Sequence, residues 1–327
     1  MKKVLGMGNA LVDILIRIED DELLSRLGFP RGSMTLVDIN KSNDILELTK
    51  NIKKTESTGG SAANTINGLA RFGGAAGYIG KVGEDELGKF FNSDLVRNKI
   101  TARLFKGKEQ TGRCVSLVSK DSERTMATYL GAAIELEAAD LSSDLFKGYD
   151  YFHLEGYLVQ NHDLVRKAVE LAKAAGNEIA VDLSSFNVVE ENLDFLKPIV
   201  KDYIDIVFAN EDEAEAFTGI KDPETALAEI GSKCKIAVVK IGAEGSLIKS
   251  GGDFHRVSAI KAKAIDTTGA GDMYQAGFFY GLSRGYGLDI CGKIGSIAAG
   301  KTVEVMGAKM GAEKWREVED ELEKLKI

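Results

Sequence analysis

The sequence predicts a three-layer α/β fold, in which helices flank a mainly parallel central sheet and a small separate β-sheet lies beside it. The first observation is the repeated alternation of strand, loop and helix from residue 150 onwards, which is typical of parallel sheets with crossover helices. The second is a two-residue alternation of apolar and polar positions between residues 101 and 130, which indicates an antiparallel hairpin. The third is a pair of glycine-rich turns, each of which opens a helix.

The composition is that of an ordinary folded protein. The chain has 327 residues, of which 44% are hydrophobic and 28% charged, enough for one large domain and an accessory piece. A formal net charge of -8 argues against nucleic acid or an anionic membrane as the main partner, because both bind basic surfaces. The three cysteines are widely separated, and no apolar run has the length of a signal peptide or membrane span. We therefore expect a cytoplasmic protein.

The N-terminal segment reads as a strand from Val4 to Gly8, followed by more strand at residues 12–16. The glycines of the first strand suggest a dinucleotide-binding motif, but Leu11 occupies the third glycine position and no helix opens there. Asp13 lies between apolar neighbours at a strand end. It is either a salt-bridged strand residue or an acceptor for sugar hydroxyls.

A glycine pair marks the second feature of the N-terminal half. Residues 17–55 carry short mixed segments, with a short helix expected at 45–52. Gly59 and Gly60 then precede a run of small residues that begins a helix. The start of such a helix has free backbone N–H groups for the polar edge of a ligand, and Asn64 lies one turn further along the same side. The alternative is close helix packing by small residues.

Polar and glycine residues follow two strands of the predicted parallel sheet. Asn210 and Glu213 come after the strand at 205–209, and Gly242 and Gly245 come after the strand at 236–240. Ligands bind beyond the carboxyl ends of parallel strands. Each pair alone is more typical of a turn, but together they would line one edge of the sheet.

Two stretches imitate the P-loop pattern G-x-x-x-x-G-K-[ST]. Residues 83–90 carry three carboxylates where phosphates would bind, whereas Gly295 to Thr302 fit the pattern fully. A working P-loop lies between a buried strand and a helix, but the apolar spacing around residues 295–302 is that of a continuous helix. N–H groups inside a helix are already bonded. We interpret the segment as ordinary helix, with a P-loop nucleotide hydrolase as the rival hypothesis.

The most informative stretch runs from residue 264 to residue 281. Its glycine-rich turn, 267–271, precedes a helix whose unpaired amides and dipole attract an anion such as phosphate. Asp272 follows directly, and a carboxylate at that place can take the proton from a hydroxyl that attacks the phosphate. We interpret Asp272 as a general base. The alternative is an aspartate that caps the helix.

Taken together, these motifs resemble the ribokinase family, also called the PfkB carbohydrate kinases, over essentially the whole chain. Four motifs carry the resemblance in the family's order: G-G-x-x-x-N at 59–64, N-x-x-E at 210–213, the nucleotide loop at 240–245 and D-T-x-G-A-G-D at 266–272. The resemblance implies a ribokinase-like fold with a β-sheet lid.

The resemblance also implies a division of the chain. The large α/β domain would comprise residues 1–16, 56–100 and 131–327, and the small β lid would comprise residues 17–55 and 101–130. Closure of the lid would exclude water from the reaction. Because open sheet edges invite strand addition, the protein is expected to be a monomer or a homodimer through the lid.

By the same resemblance, Asp272 is implied to deprotonate the primary hydroxyl of the acceptor, beside an anion hole formed by Gly269, Ala270 and Gly271. The residues implied to bind the sugar are Asn9, Asp13, Gly59, Gly60 and Asn64. Those implied to bind ATP are Asn210, Glu213, Lys240, Gly242, Gly245, Ser296 and Ala299. Glu213 would hold Mg²⁺ through water, and a monovalent cation such as K⁺ would bind at Asp266, Thr268 and Gly307.

The leading hypothesis is an ATP-dependent kinase of the primary hydroxyl of a sugar or ribonucleoside, with adenosine as the first candidate. Residues 8–14 resemble the opening of the adenosine-kinase branch, where proline commonly stands at the position of Ala10. The alternatives are a ribokinase, fructokinase or other PfkB sugar kinase and, in a different class, a non-catalytic nucleoside- or sugar-binding module. Arg113, Met126 and Tyr129 of the hairpin either select the acceptor or pack within the sheet.

Overall fold

The computed structural model describes residues 1–120 and 123–325, and within them fourteen strands form two sheets. In chain order the strands are β1 Val4–Met7, β2 Leu11–Arg17, β3 Met34–Leu36, β4 Lys54–Gly59, β5 Ala76–Val82, β6 Thr101–Lys106, β7 Gly112–Val118, β8 Arg124–Tyr129, β9 Tyr151–Glu155, β10 Glu178–Asp182, β11 Ile206–Asn210, β12 Ile236–Lys240, β13 Ser246–Ser250 and β14 Asp253–Val257.

The large sheet has nine described strands in the order β14-β13-β12-β11-β10-β9-β1-β5-β6. All neighbouring strands from β12 to β6 pair in parallel, and only β13 and β14 join in antiparallel pairing among the described residues. The predicted mainly parallel sheet is therefore confirmed. Its inner strands are buried on both faces, which explains why they read as short apolar runs rather than as alternating patterns.

The described residues form twelve α-helices. They are α1 Glu22–Leu27, α2 Ile39–Leu48, α3 Ser61–Arg71, α4 Glu86–Arg97, α5 His162–Ala174, α6 Phe186–Glu191, α7 Leu193–Tyr203, α8 Glu211–Thr218, α9 Pro223–Gly231, α10 Ala270–Arg284, α11 Leu288–Thr302 and α12 Ala312–Lys324. Within the described ranges, none of these helices is long and apolar enough to span a membrane.

Helices cover both faces of the large sheet, as predicted. Successive strand residues point to opposite faces, so Leu5 joins the core formed with α5 to α9, whereas Val4 joins the core formed with α3, α10 and α11. Both residues are fully buried. The helix α10 that begins at the glycine-rich turn is thereby fixed against the centre of the sheet.

The small sheet has the described strand order β3-β8-β7-β2-β4. On one face, Val12, Ile14 and Ile16 of β2 pack with apolar residues of α1 and α2. The other face carries Asp13 and is open enough to leave that residue only partly buried. The Asp13 carboxylate therefore faces the cleft from a strand in the interior of the small sheet.

Strand membership differs from the predicted domain boundaries in three places. Strand β2 pairs with β7 in the small sheet although residues 11–16 were assigned to the large domain, and β4 crosses the predicted border between residues 55 and 56. Strand β6, which was assigned to the lid, pairs in parallel with β5 in the large sheet, because helix α4 makes the crossover between them. The division into two domains itself stays a prediction.

Two further local predictions can be compared with the structure. The predicted hairpin is present as the antiparallel pair β7 and β8, and its turn at Asp121 and Ser122 lies outside the described residues. The helix expected at 45–52 begins earlier, at Ile39, because the Asp38 side chain accepts a hydrogen bond from the Lys41 backbone N–H and caps it.

Candidate active site

The candidate site lies beyond the carboxyl ends of the central strands, where the sequence analysis expected ligands. Five residues at or just after these ends face it: Asn9 after β1, Glu155 of β9, Asp182 of β10, Asn210 of β11 and Lys240 of β12. The N-termini of α3 and α10 meet at the same edge, since Thr65 of α3 donates a hydrogen bond to the backbone carbonyl of Asp272. The fold thus brings residues of all four sequence motifs to the same edge of the large sheet.

The glycine-rich turn leaves backbone donors free at the start of α10. Gly269 adopts a left-handed conformation with φ of 75°, and it packs so closely on Ala308 that a side chain would not fit. Among the described residues, the N–H groups of Gly269, Gly271 and Asp272 have no hydrogen-bond acceptor. The turn therefore has the donors of an anion site in the predicted position, except that the Ala270 N–H donates to the Thr267 carbonyl oxygen at 3.2 Å and is not free.

The Asp272 carboxylate reaches across to helix α3. Its two oxygens accept hydrogen bonds from Ser61 Oγ at 2.7 Å and from Asn64 Nδ2 at 2.9 Å. Burial raises the pKa of Asp272 to about 6, although these two hydrogen bonds offset part of the effect. Helix α10 has no side-chain cap, so the alternative of a capping aspartate does not describe Asp272. The carboxylate has no ion-pair partner in the described chain.

Glu155 is a buried acid that the sequence analysis missed. Its carboxylate accepts hydrogen bonds from the Asn9 backbone N–H at 3.2 Å, from Asn9 Nδ2 at 2.9 Å and from the Ala62 N–H at 3.0 Å. Burial raises the pKa of Glu155 to about 7. Glu155 therefore ties the loop after β1 to the start of α3 and directs the Asn9 amide inwards. The sequence signal that could have identified Glu155 is the position of an acidic residue at the end of an apolar strand.

The glycine pair at 59 and 60 is required by close backbone approach. Gly60 has φ of 92°, and a side chain there would collide with the Asn9 carbonyl oxygen. A side chain on Gly59 would collide with the Asp13 carboxylate. The alternative interpretation, close packing by small residues, is therefore also correct. This packing allows Asn9 and Asp13 to lie at the cleft.

The Asp13 carboxylate is free to accept hydrogen bonds from a ligand. Burial raises its pKa to about 6, and the nearby charges of Arg124 and Lys309 partly counteract this. These two cations are ion-paired elsewhere, with Asp266 and Asp94 respectively. Within the described ranges Asp13 accepts no hydrogen bond and forms no ion pair, so the interpretation as a salt-bridged strand residue does not hold.

A cavity of about 770 Å³ opens beside the anion site. Six of the seven residues implied for ATP line it: Asn210, Lys240, Gly242, Gly245, Ser296 and Ala299. Its far wall is mostly apolar, with Ile260 and Val303 among its residues, and the buried Ser296 Oγ has no partner in the described chain. The volume is in the range of small-molecule sites, and the lone hydroxyl is a polar contact for a ligand.

Glu213, the seventh residue, is not among the residues that line the cavity, but it contacts Asn210, which does. It closes a capping box with Asn210: each residue accepts a hydrogen bond from the other's backbone N–H, at 2.8 Å in both directions. Burial raises the pKa of Glu213 to about 7, while the charge of Lys240 lowers it. A carboxylate in this place could reach a metal ion through water rather than directly.

Lys240 forms an ion pair with Asp182, a second residue that the sequence analysis missed. The distance from Lys240 Nζ to Asp182 Oδ1 is 3.2 Å, and both side chains are largely buried. Burial opposes the charged form of Lys240, but Asp182 and Glu213 raise its pKa above the ordinary value. The lysine is therefore a permanent positive charge within a predominantly acidic group.

The predicted monovalent-cation residues form a different arrangement. Asp266 accepts hydrogen bonds from the Thr268 N–H at 2.9 Å and the Gly307 N–H at 2.7 Å, and Arg124 of the lid lies 2.9 Å from its Oδ2. Although burial opposes it, hydrogen bonding lowers the pKa of Asp266. Because a guanidinium already supplies the positive charge, these residues fit a contact between lid and loop better than a cation site, which stays a prediction.

The hairpin residues proposed to select the acceptor are mostly engaged within the protein. Arg113 donates to Ser42 Oγ at 2.7 Å and to Asn43 Oδ1 at 2.5 Å, and Tyr129 donates to Glu109 Oε2 at 2.9 Å. The sequence had left sheet packing open as the alternative role, and Arg113 and Tyr129 both have that role. Met126 is only partly buried and stays available.

The P-loop pattern at residues 295–302 lies inside helix α11, as we interpreted it. Lys301 points away from the cavity and pairs with Glu317 at 2.9 Å. We expect Lys301→Ala to retain kinase activity within about twofold, since neither Lys301 nor its partner Glu317 is among the residues that line the cavity. A coupled assay of ADP release measures this, and abolished nucleotide turnover in a folded variant would support the P-loop hydrolase instead.

Comparison with known proteins agrees with this architecture. A family model described as pfkB family carbohydrate kinase matches residues 33–315. The crystal structure of adenosine kinase from Sinorhizobium meliloti is 34% identical and superposes with a TM-score of 0.86, covering 98% of this chain and 99% of that one. The likeness identifies the fold as ribokinase-like, with the five-stranded sheet as the lid.

Two curated relatives extend the comparison. Adenosine kinase from Schizophyllum commune is 28% identical over 97% of this chain and 98% of its own length. An uncharacterized sugar kinase from Archaeoglobus fulgidus is 30% identical over 75% of this chain and 97% of its own length. The chain therefore belongs to the pfkB family of carbohydrate kinases, and it is an enzyme that phosphorylates a sugar or a nucleoside.

Proposed function

We propose that the protein is an adenosine kinase, which transfers the terminal phosphoryl group of ATP to the primary hydroxyl of adenosine. The observation that carries the proposal is an apolar patch on the open face of the lid, formed by Met34, Leu36 and Met126. It lies on the same face as Asp13, and its chemistry suits the flat base of a nucleoside.

The strand register places the patch on this face. Asp13 pairs with Cys114, Cys114 pairs with Thr128, and Thr128 pairs with Leu36, so all four residues share one face of the sheet. Residues two positions away along a strand point the same way, which adds Met34 and Met126. The opposite face is buried against α1 and α2. The patch and the free carboxylate therefore face the cleft together.

The exposure of the patch is unusual for such side chains. Met34 is 51% and Leu36 is 61% exposed, whereas the apolar residues of the opposite face are almost fully buried. An apolar surface beside free polar groups is typical of a ligand site. A simple sugar offers only hydroxyls to such a surface, whereas a nucleoside offers a ribose to Asp13 and an aromatic base to the patch. The sequence and structural likeness to adenosine kinases supports the same acceptor.

The geometry supports an in-line transfer. Asp272 would take the proton of the attacking hydroxyl, and the free N–H groups of Gly269 and Gly271 would bind the oxygens of the phosphoryl group that moves from ATP to the acceptor. The unpartnered Oδ1 of Asn64 could accept a second substrate hydrogen bond. Kinases of this family use ATP with Mg²⁺. Here the ion would be held by Glu213 through water, and it would neutralise charge on the phosphates.

The acceptor can be tested by coupled measurement of ADP release across adenosine, inosine, ribose, fructose and ketodeoxygluconate. We expect kcat/KM for adenosine to exceed that of each simple sugar by at least about 100-fold, because a simple sugar cannot cover the apolar patch, and burial of about 100 Å² of apolar surface contributes roughly 2.5 kcal/mol. A preference for a sugar would replace the proposal with another PfkB sugar kinase. Tight binding of a nucleoside without ADP release would favour the non-catalytic binding module.

A matched pair of variants tests the patch itself. Leu36→Ser should raise KM for adenosine about tenfold, in line with roughly 1–3 kcal/mol for a lost apolar contact, without changing KM for ATP. Leu48→Ser is the control, because Leu48 is 47% exposed but lies on helix α2, behind the lid. Equal effects of the two variants would count against the base-binding role.

A further inference from the structure

The ion pair between Lys240 and Asp182 lies where the anion hole meets the nucleotide cavity. Strands β10 and β12 are not neighbours, so the pair bridges the carboxyl end of the intervening strand β11. The exposed fractions of the two side chains are only 15% and 6%. Solvent therefore does little to screen the ammonium from a ligand in this cavity.

The position of the ammonium relative to helix α10 is the second observation. A Cβ atom built on Gly271 would lie 3.2 Å from Lys240 Nζ, and among the described residues outside its own helix and chain neighbours no other atom lies within 4 Å. Both residues line the same cavity. The ammonium of Lys240 therefore lies beside the start of α10, where the free N–H of Gly271 is also available to an anion.

The carboxylates around the Lys240 ammonium explain why a cation is needed for phosphate binding at the start of α10. Three carboxylates influence the ammonium: Asp182, Glu213 and Asp272. Their field would repel the phosphates of ATP, and among the residues of the described chain that line the cavity Lys240 is the buried cation, since Lys261 is exposed. A purely structural ion pair would gain little here, because burying both charges costs about as much as their attraction returns.

We propose that Lys240 is a catalytic residue that contacts the transferred phosphoryl group, and that Asp182 is the positioning residue that holds its ammonium there. The inference rests on the proposed kinase function and deepens it. The bond from phosphorus to the ADP oxygen breaks, the bond to the acceptor oxygen forms, and the acceptor proton goes to Asp272. Lys240 keeps its protons throughout and donates hydrogen bonds to the phosphoryl oxygens as the group moves.

The test is a double-mutant cycle with separate kcat and KM values. Lys240→Met should lower kcat by about 100-fold or more, as loss of one charge-stabilising donor does, while the affinity for ADP stays within about threefold. Asp182→Asn should lower kcat by about tenfold or more. In the Lys240→Met background, Asp182→Asn should cause no further loss, because its effect is exerted through the lysine. Lys240→Arg should restore part of the activity.

Asp205→Asn is the matched structural control. Asp205 is a buried acid of the same sheet, paired with Lys173 and Lys235 at the opposite edge, so its loss should lower the melting temperature and leave kcat unchanged. The inference is overturned if Asp182→Asn behaves in the same way. It is also overturned if Asp182→Asn lowers kcat equally with or without Lys240, or raises the Mg²⁺ requirement more than tenfold when Lys240→Met does not.

Failure of the proposed function gives a different result. In that case the wild-type protein either prefers a simple sugar as acceptor or releases no ADP with any acceptor of the panel, and both outcomes are seen before any variant is made. If the wild-type protein is an active kinase and folded Lys240→Met keeps kcat within twofold, only the role of the ion pair is refuted.

Discussion

Replacement of Asp272 by Asn is expected to lower kcat by about 1,000-fold, which is within the usual contribution of a general base. The amide can still accept a hydrogen bond from Ser61 or Asn64, so the junction between α3 and α10 should persist. It cannot take the proton of the acceptor hydroxyl. Single-turnover transfer measures the loss, and calorimetric titration with ATP should give an affinity close to that of the wild type.

The control for this variant is Asp289→Asn. Asp289 is also a carboxylate in the first turn of a helix, α11, but it is half-exposed and pairs with Lys293. Its replacement should leave kcat within twofold. If Asp272→Asn retains more than a tenth of the wild-type kcat, another group must take the proton.

The same carboxylate should set the acid limb of the pH profile. Burial raises the pKa of Asp272 to about 6, and a protonated carboxyl cannot act as the base, so kcat at saturating acceptor should fall as the pH drops through 6 and level off above about 7. Asp13, whose pKa is also raised to about 6, should act on KM for the acceptor instead. Glu155, whose pKa is raised to about 7, lies close enough to influence this limb. The limb should persist in Glu155→Gln and disappear in the residual activity of Asp272→Asn.

Replacement of Asp13 by Ala is expected to raise KM for the acceptor about 100-fold, because each hydrogen bond to a charged group contributes roughly 1.5–3 kcal/mol. Asp13 accepts no hydrogen bond from the described chain and faces the cleft, so its lone pairs are free for ribose hydroxyls. KM for ATP should stay unchanged. Initial-rate kinetics with each substrate varied in turn separates the two effects.

Glu56→Ala is the control for Asp13. Glu56 is an exposed carboxylate on the neighbouring strand β4, paired with Ile14 rather than facing the cleft. We expect wild-type kinetics from it. A normal KM for the acceptor in Asp13→Ala, together with a lower melting temperature, would mean that Asp13 only stabilises the strand.

Features that depend on local sequence could be predicted. The glycine-rich turn before Asp272, the capping pair Asn210 and Glu213, and the helix that contains residues 295–302 all lie within single stretches of chain. Periodicity, glycine positions and capping chemistry are local properties, so they can be read without knowing the fold. That Asn210 and Gly242 line one edge of a mainly parallel sheet followed from the alternation of strands and helices.

Features that depend on strand register and long-range packing could not be predicted from the sequence. Asp182 and Lys240 are 58 positions apart, and Glu155 and Asn9 are 146 apart, so only the completed sheet brings them together. The contact of Arg124 with Asp266 depends on how the lid folds over the cleft. Strand β6 was assigned to the lid because its residues alternate like those of the hairpin, and alternation alone does not tell which sheet a strand joins.

We infer that free N–H groups at the start of α10 stabilise the migrating phosphoryl group while Asp272 receives the acceptor's proton. A crystal structure of the protein with ADP, Mg²⁺, aluminium fluoride and the preferred acceptor tests it most directly. We expect the planar fluoride within hydrogen-bond distance of the Gly269 and Gly271 N–H groups, and an Asp272 oxygen within hydrogen-bond distance of the acceptor's primary hydroxyl. A fluoride bound away from this turn, or an acceptor hydroxyl out of reach of Asp272, would contradict the claim.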